Sequence, residues 1–281
     1  MEAKNKRKLC VFSHYFEGNF IPFYVLVYIR ELKNYFDEIL LVTNNRSISN
    51  SAEISGSLIN ILLVKNEGYD FGMFYKAFQV IDFQKYKQIA CVNDSNIVFG
   101  SLDFLFSWGN GQNVDFWGLV DSWQRPKLTK HEELYHIQSH FLVFNEKAIK
   151  ILPEYLRQVD FQILSKERDI KQLRKKVIEI WEIGVSQFLI KNELKCLAYI
   201  NSKEYSEKYY NGNDVNVTIK LYEDIIKQGV PVIKKRVVTR KKLFDVLKTR
   251  KSWEKLILKY ADGNFKPEKI IHEHQLLRKT E

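Results

Sequence analysis

The stretch that most constrains this chain runs from Val64 to Leu102, VKNEGYDFGMFYKAFQVIDFQKYKQIACVNDSNIVFGSL. An apolar run gives way to a turn holding Gly68 and Gly72. Helix-period spacing follows, and a second apolar run ends in Asn93-Asp94-Ser95. Phe71, Phe74, Phe78 and Ile81 recur at the three-and-four spacing of one helix face, with Asp70 placed to cap that helix. A strand, helix, strand order of this kind brings the Asp70 loop and the Asp94 strand end to one sheet edge, the edge where such sheets bind ligands. Gly68 and Gly72 admit close backbone approach, and the helix start after Asp70 favours an anion. A carboxylate at Asp94 can ligate Mg²⁺ or Mn²⁺, which would bridge phosphate oxygens. Asp70 would repel a phosphate directly, so it is assigned to ribose, base or sugar hydroxyls.

The surrounding chain supports an α/β reading. Lys8 to Ser13, Glu38 to Thr43 and Leu58 to Lys65 read as strands, with Pro22 opening a helix between the first two. Beyond the central stretch, Val114 to Asp121, Ile137 to Asn145 and Lys195 to Ile200 are strand-like. Glu146 to Gln158 is helical, as is Asp169 to Asn192, with a break near Gly184. Ser122 to Tyr135 is a charged loop long enough to be a lid or an acceptor loop. Asn201 to Asn216 reads as a polar loop, and Thr218 caps a helix that ends before Gly229-Val230-Pro231. Two short helices are expected at Arg240 to Arg250 and Ser252 to Tyr260.

Charge narrows the partners. The formal net charge of +10 favours phosphate-bearing ligands or surfaces. Lys234 to Lys251, KKRVVTRKKLFDVLKTRK, has only Asp245 in opposition, and it reads either as a solvated helix face or as a peripheral contact with anionic membrane. No nucleic-acid motif accompanies it, so nucleic acid is not an expected partner. No G-x-G-x-x-G follows the first strand, which argues against a dinucleotide-dependent oxidoreductase. Cys10, Cys91 and Cys196 lack metal-type spacing and read as buried free thiols in a reducing compartment. With no signal peptide and no apolar run long enough to span a bilayer, the expectation is a cytoplasmic protein, peripheral at the inner face of the membrane.

Several motifs then recur in a recognisable order. Val11-Phe12-Ser13-His14-Tyr15-Phe16 comes first, then Asn66-x-Gly68-x-Asp70-x-Gly72, then Asn93-Asp94-Ser95. Asp115-Phe116-Trp117-Gly118-Leu119 follows, then His136-Ile137-Gln138-Ser139 with Phe141, and finally Gly229-Val230-Pro231-Val232-Ile233-Lys234. This series resembles the rhamnan synthesis protein F family of polysaccharide glycosyltransferases. The resemblance implies a GT-A (Rossmann-like) fold: a central mixed, mostly parallel sheet flanked by helices. That domain would span 1–235, with a donor half to about 121 and an acceptor half from about 122, followed by a basic helical extension over 236–281. It implies transfer of rhamnose, or another deoxyhexose or hexose, from a nucleotide-diphosphate donor to a growing cell-surface polysaccharide or lipid-linked glycan, with inversion.

The resemblance also implies roles. Asn93-Asp94-Ser95 stands where GT-A enzymes carry Asp-x-Asp, so only one carboxylate remains. Asp94 then either binds Mg²⁺ or Mn²⁺ or contacts the donor sugar. Ser13 and His14 would meet the nucleobase and ribose, Asn66 and Asp70 would line the same pocket, and His136 and Gln138 would hydrogen-bond the donor sugar. Glu182, in Trp181-Glu182-Ile183-Gly184, is the candidate general base, with Asp121 as the second choice. Trp117, Trp123 and Tyr135 are candidates to stack on an acceptor sugar. His272 and His274 would supply a metal ligand if the tail folds back. The single carboxylate keeps a second reading open: a non-catalytic, degenerate glycosyltransferase-like module in an assembly complex.

Overall fold

The computed structural model describes residues 6–49, 51–54, 56, 58–126, 129–212, 215–239 and 253–280. The first half alternates β1 (Arg7–His14), α1 (Phe23–Leu32), β2 (Glu38–Thr43), β3 (Ile59–Leu63), α2 (Tyr69–Phe78) and β4 (Tyr86–Asn93). Then come β5 (Asn96–Val98), α3 (Asp103–Gly111), β6 (Phe116–Ser122), β7 (His136–Ile137), β8 (Phe141–Asn145) and α4 (Glu146–Gln158). The short α5 (Gln162–Ser165) leads to α6 (Ile170–Val177), which runs through a π-helical turn, Ile178–Gly184, into α7 (Val185–Lys191). After these come β9 (Cys196–Ile200), α8 (Ser202–Tyr210), α9 (Val217–Lys220), α10 (Tyr222–Lys227), β10 (Val232–Lys234) and α11 (Lys235–Thr239). The helices α12 (residues 253–260) and α13 (Pro267–Thr280) end the described chain.

Eight strands form one mixed sheet in the order β3-β2-β1-β4-β8-β6-β7, with β9 on the other side of β6. The strands β3, β2, β1 and β4 are parallel, β8 runs against both β4 and β6, and β9 is parallel to β6. Both faces are covered, which is why the strands read as near-continuous apolar runs. Along β1, Cys10 and Phe12 enter the cluster beneath α1 and α3, while Leu9 and Val11 enter the opposite one with α2 and α4. Along β4 the same alternation sends Ala90 and Val92 one way and Ile89 and Cys91 the other. The fold is α/β, a mixed, mostly parallel sheet flanked by helices.

Several local expectations change. The Ile137 to Asn145 run divides into β7 and β8, because Gln138 to His140 leave the ladder in a turn. β7 pairs with the end of β6, and β8 with its start. The polar Asn201 to Asn216 segment is not all loop. Asn201 caps α8 by accepting the N–H groups of Lys203 and Glu204, and Ser202 and Ser206 turn inward. The cap of α9 is Asn216 rather than Thr218, and that of α2 is Gly68 rather than Asp70. Two three-residue strands, β5 and β10, pair antiparallel as a separate ribbon.

The C-terminal helices belong to the core. Trp253, Ile257 and Ile270 are buried in the same cluster as Phe12 and Tyr28. On α13, Glu273 accepts the Phe23 N–H at 2.6 Å and the Tyr24 N–H at 3.1 Å, capping α1 from 250 residues away. The helix expected over 240–250, and with it most of the basic stretch, lies outside the described residues. Among the described residues, no helix is long and apolar enough to cross a membrane.

Candidate functional site

The parallel register aligns Ser13 with Asn93 and His14 with Thr43 at the carboxyl edge of the sheet. A cavity of about 750 Å³ opens above this edge, lined by residues from the ends of β4 and β6, the 138–140 turn, α2, the π-helical turn and α11. Of the expected donor residues, Asp70, Asn93, Asp94, Ser95, His136 and Gln138 line it, while Ser13 and His14 are fully buried and do not. Asp70 accepts a 2.6 Å hydrogen bond from the Asn93 amide and a 3.3 Å one from the Ser13 hydroxyl. The Asn93 carbonyl oxygen takes the Ser95 N–H at 3.1 Å and the Ser95 hydroxyl at 2.5 Å. The Asp94 carboxylate accepts the Tyr24 hydroxyl at 3.0 Å and the Lys235 ammonium at 3.2 Å.

The two glycines of the Asp70 turn serve the turn itself. Gly68 has φ of +81° at the helix cap, and a Cβ on Gly72 would lie 1.5 Å from the Glu67 carbonyl oxygen. Asp70, freed from capping, sits in the first helical turn and points into the pocket network. Asn66 is exposed on the approach to that turn and does not line the cavity.

On the other wall, Glu182 accepts the Ser139 hydroxyl at 2.7 Å, and its second oxygen is 4.0 Å from His136 Nε2. His136 Nδ1 lies 2.7 Å from the Leu134 carbonyl oxygen, so Nδ1 carries a proton and Nε2 faces the carboxylate. The π-helical turn sets Glu182. Tyr155 donates its hydroxyl to the Ile180 carbonyl within that turn, and a Cβ on Gly184 would meet the Tyr155 hydroxyl at 2.4 Å. Trp181, next to Glu182, stacks on Phe71 at 4.7 Å in the core and anchors the turn.

The remaining candidates divide. Gln138 lines the cavity and donates to the Asp121 carbonyl at 3.4 Å. Asp121 itself turns away, and its carboxylate accepts the Ser202 N–H at 2.6 Å and starts α8. Trp117 is fully buried in the core. Trp123 and Tyr135 pair edge-to-face at 5.1 Å beside the cavity residues Ser122 and Gln124. His14 is buried with Nδ1 3.3 Å from Thr43 Oγ1. Burial pushes its pKa down to about 4, with Asp94 opposing and Lys235 adding to the shift, so the ring is neutral. His272 and His274 do not form a metal pair: the His274 ring is buried 4.8 Å from Tyr24 and His272 is exposed.

Sequence reasoning missed the cations. Arg125, Arg174, Lys234, Lys235 and Arg236 line the cavity against three carboxylates, Asp70, Asp94 and Glu182. The signal was present in the Gly229 to Lys234 motif, whose β10 strand pairs Lys234 with Asn96 and so sets the lysines beside Asp94. The start of the basic stretch, Lys234 to Arg236, therefore lines this cavity. Burial moves two of these groups toward neutrality. Asp70 is raised to about 7, first by burial and then by the Asp94 charge; Lys234 is lowered to about 7 by burial, against the pull of Glu182 and Asp70.

A divalent ion does not fit the side chains as they stand. One Asp94 oxygen, Oδ2, already holds an ammonium and a hydroxyl, and Asn93 replaces the second carboxylate. Among the described residues, no group of three His, Cys, Asp or Glu side chains could hold a metal ion.

Comparison with known proteins gives a consistent picture. The family model of rhamnan synthesis protein F matches residues 39–274. The virulence protein VirA of Vibrio anguillarum is 23% identical over 262 residues, covering 84% of this chain and 80% of that protein. Among solved structures, the galactosyltransferase LgtC, in complex with donor and acceptor sugar analogues, aligns over 90% of this chain and 96% of its own. The identity is 13% and the TM-score 0.45. The 4-diphosphocytidyl-2C-methyl-D-erythritol synthase of Anaerococcus prevotii aligns over 79% of this chain and 96% of its own, at 11% identity and a TM-score of 0.40.

Proposed function

Because the chain belongs to the rhamnan synthesis protein F family, we propose that its cavity binds a nucleotide-diphosphate sugar and transfers the sugar to an acceptor hydroxyl. The observation that carries this reading is one cavity holding both a carboxylate base, Glu182, and a cluster of cations suited to a diphosphate. Glu182 would take the proton of the acceptor hydroxyl as its oxygen attacks the anomeric carbon. The bond from that carbon to the diphosphate oxygen breaks, and the nucleoside diphosphate leaves with the bonding pair. A single displacement of this kind inverts the anomeric centre. Ser139 and His136 orient the carboxylate, while Asp70 and Asn93 form the donor floor and Ser13 holds Asp70. Trp123 and Tyr135, at the rim, would stack on the acceptor, a growing cell-surface polysaccharide or lipid-linked glycan. The donor sugar is rhamnose or another deoxyhexose or hexose, and the basic residues 240–251 would rest on anionic membrane.

Replacement of Glu182 by Gln tests the base. Release of nucleoside diphosphate in the presence of acceptor should fall by about 100-fold or more. Nucleotide affinity, measured by calorimetry, should stay within about threefold, since the amide keeps the shape of the carboxylate. An unchanged turnover would remove Glu182 from the mechanism. The engagement of Asp94 by Lys235 favours one other reading, a non-catalytic module of an assembly complex. Donor turnover by the wild-type chain that is lost in Asp94→Ala would exclude it.

A further inference from the structure

The Asn93-Asp94-Ser95 turn has already engaged the Asn93 oxygen and one of the two Asp94 oxygens. Both Asn93 side-chain atoms are committed, the amide to Asp70 and the carbonyl to Ser95. The Asp94 oxygen Oδ2 accepts from Tyr24 and Lys235. A metal at Asp94 would have to share the carboxylate with an ammonium group already bound to it.

That ammonium is built into the turn. β10 pairs with β5 so that Lys234 lies opposite Asn96, and the Lys235 N–H donates to the Ser95 carbonyl at 2.8 Å. The Lys234 ammonium reaches the Ser95 hydroxyl at 3.3 Å. The Lys235 ammonium also lies 5.3 Å from the centre of the Tyr24 ring, a second favourable contact for a cation. Two consecutive lysines are thus fixed by backbone hydrogen bonds against the turn that carries the lone carboxylate. Both border the cavity.

We propose that Lys235 and Lys234 take the place of a divalent metal ion: their ammonium groups hold the diphosphate of the donor, and binding needs no metal. This rests on reading the cavity as a donor site. When Lys234 is protonated, the two ammonium groups together carry the charge of one divalent cation. Each has three N–H donors and no acceptor, which suits phosphate oxygens. Asp94 acts as the positioning residue: it accepts one Lys235 donor and leaves the others for the ligand. Asp94 has its counter-ion in place before any ligand arrives. A diphosphate leaving group gains negative charge as the sugar departs, and fixed cations at its oxygens stabilise that charge without reorganisation.

The test is calorimetric titration of the full chain with UDP, dTDP, GDP and CDP, in EDTA and again in millimolar Mg²⁺ or Mn²⁺. For the tightest binder, Kd should agree within about threefold between the two conditions. Lys235→Ala should weaken it by about tenfold or more, and Lys235→Arg should recover most of that loss, because the guanidinium keeps the charge and the donors. Thermal melts of both variants check the fold, and the wild-type comparison in EDTA depends on no variant. If EDTA abolishes binding and Mn²⁺ restores it, the metal reading wins and this proposal falls while the donor site stands. An unchanged Kd in a folded Lys235→Ala would also overturn it, making the lysine a partner of Asp94 only. If none of the four nucleotides binds in either condition, the donor-site reading itself falls.

Discussion

At the scale of single residues, Asp70 and Lys234 share a cause with opposite signs. Burial disfavours the charged form of each, so the acid rises and the base falls until both stand near 7. As pH climbs through that value, Asp70 becomes anionic and Lys234 loses its charge, and both changes make the cavity more negative. Nucleoside diphosphate affinity should therefore fall between pH 6 and 8.5, and binding near pH 7.5 should take up protons. Calorimetric enthalpies that vary with the ionisation enthalpy of the buffer would show the uptake. Asp70 has a consequence for stability as well. Its folded pKa lies above its ordinary value of 3.8, so the stability it contributes is complete below that value and is lost as pH rises through about 7. Asp70→Asn, which removes this titration, should melt higher than the wild type at pH 8.5 and match it near pH 4. Equal melting temperatures at pH 8.5 would contradict this. Asp70, Asp94, His136 and Glu182 were legible because each belongs to a local motif at a strand end or in a recognisable helix. The Lys235 partnership with Asp94 was not, since it spans 141 residues and depends on a ribbon of three-residue strands.

At the scale of elements, the π-helical turn builds one wall of the cavity. A wide turn between α6 and α7 releases the Ile180 carbonyl to Tyr155 and carries Glu182 at the cavity wall. Gly184 makes the turn possible: a methyl group there would press on the Tyr155 hydroxyl and lie 2.9 Å from the Glu179 carbonyl oxygen. Gly184→Ala should cost about 1–3 kcal/mol of stability, as overpacking does, and should lower turnover more than nucleotide affinity. Denaturant melts and steady-state kinetics would measure the two effects, and an unperturbed variant would remove the turn from the argument. The sequence placed a helix break at Gly184 but not its form, because periodicity reads an interrupted helix without saying whether it widens or stops. The long apolar strands β1, β2 and β4 were equally plain, since both of their faces are buried. The strands β5 and β10 were too short to show a period. α8 hid behind polar composition because its inward residues are Ser202 and Ser206.

At the scale of the molecule, the fold class was legible from the alternation of apolar runs and helical segments, but the extent of the core was not. The basic composition after Lys234 suggests an appendage. Yet Trp253, Ile257 and Ile270 close the face of the sheet that α1 covers, and the family match runs to residue 274. A chain ended after residue 239 should therefore be poorly soluble or molten, exposing an apolar face, and dye binding with near-ultraviolet circular dichroism would show it. A compact, two-state truncated chain would refute this. Two hydrogen bonds to one carboxylate give the dependence an order in time. During synthesis the N-terminus of α1, which presents Tyr24 to Asp94, is made 250 residues before Glu273, the side chain that caps it. Helix α1 thus waits for α13, the last described helix, to be made. A ribosome stalled before that codon leaves the Asp94 turn without its finished support.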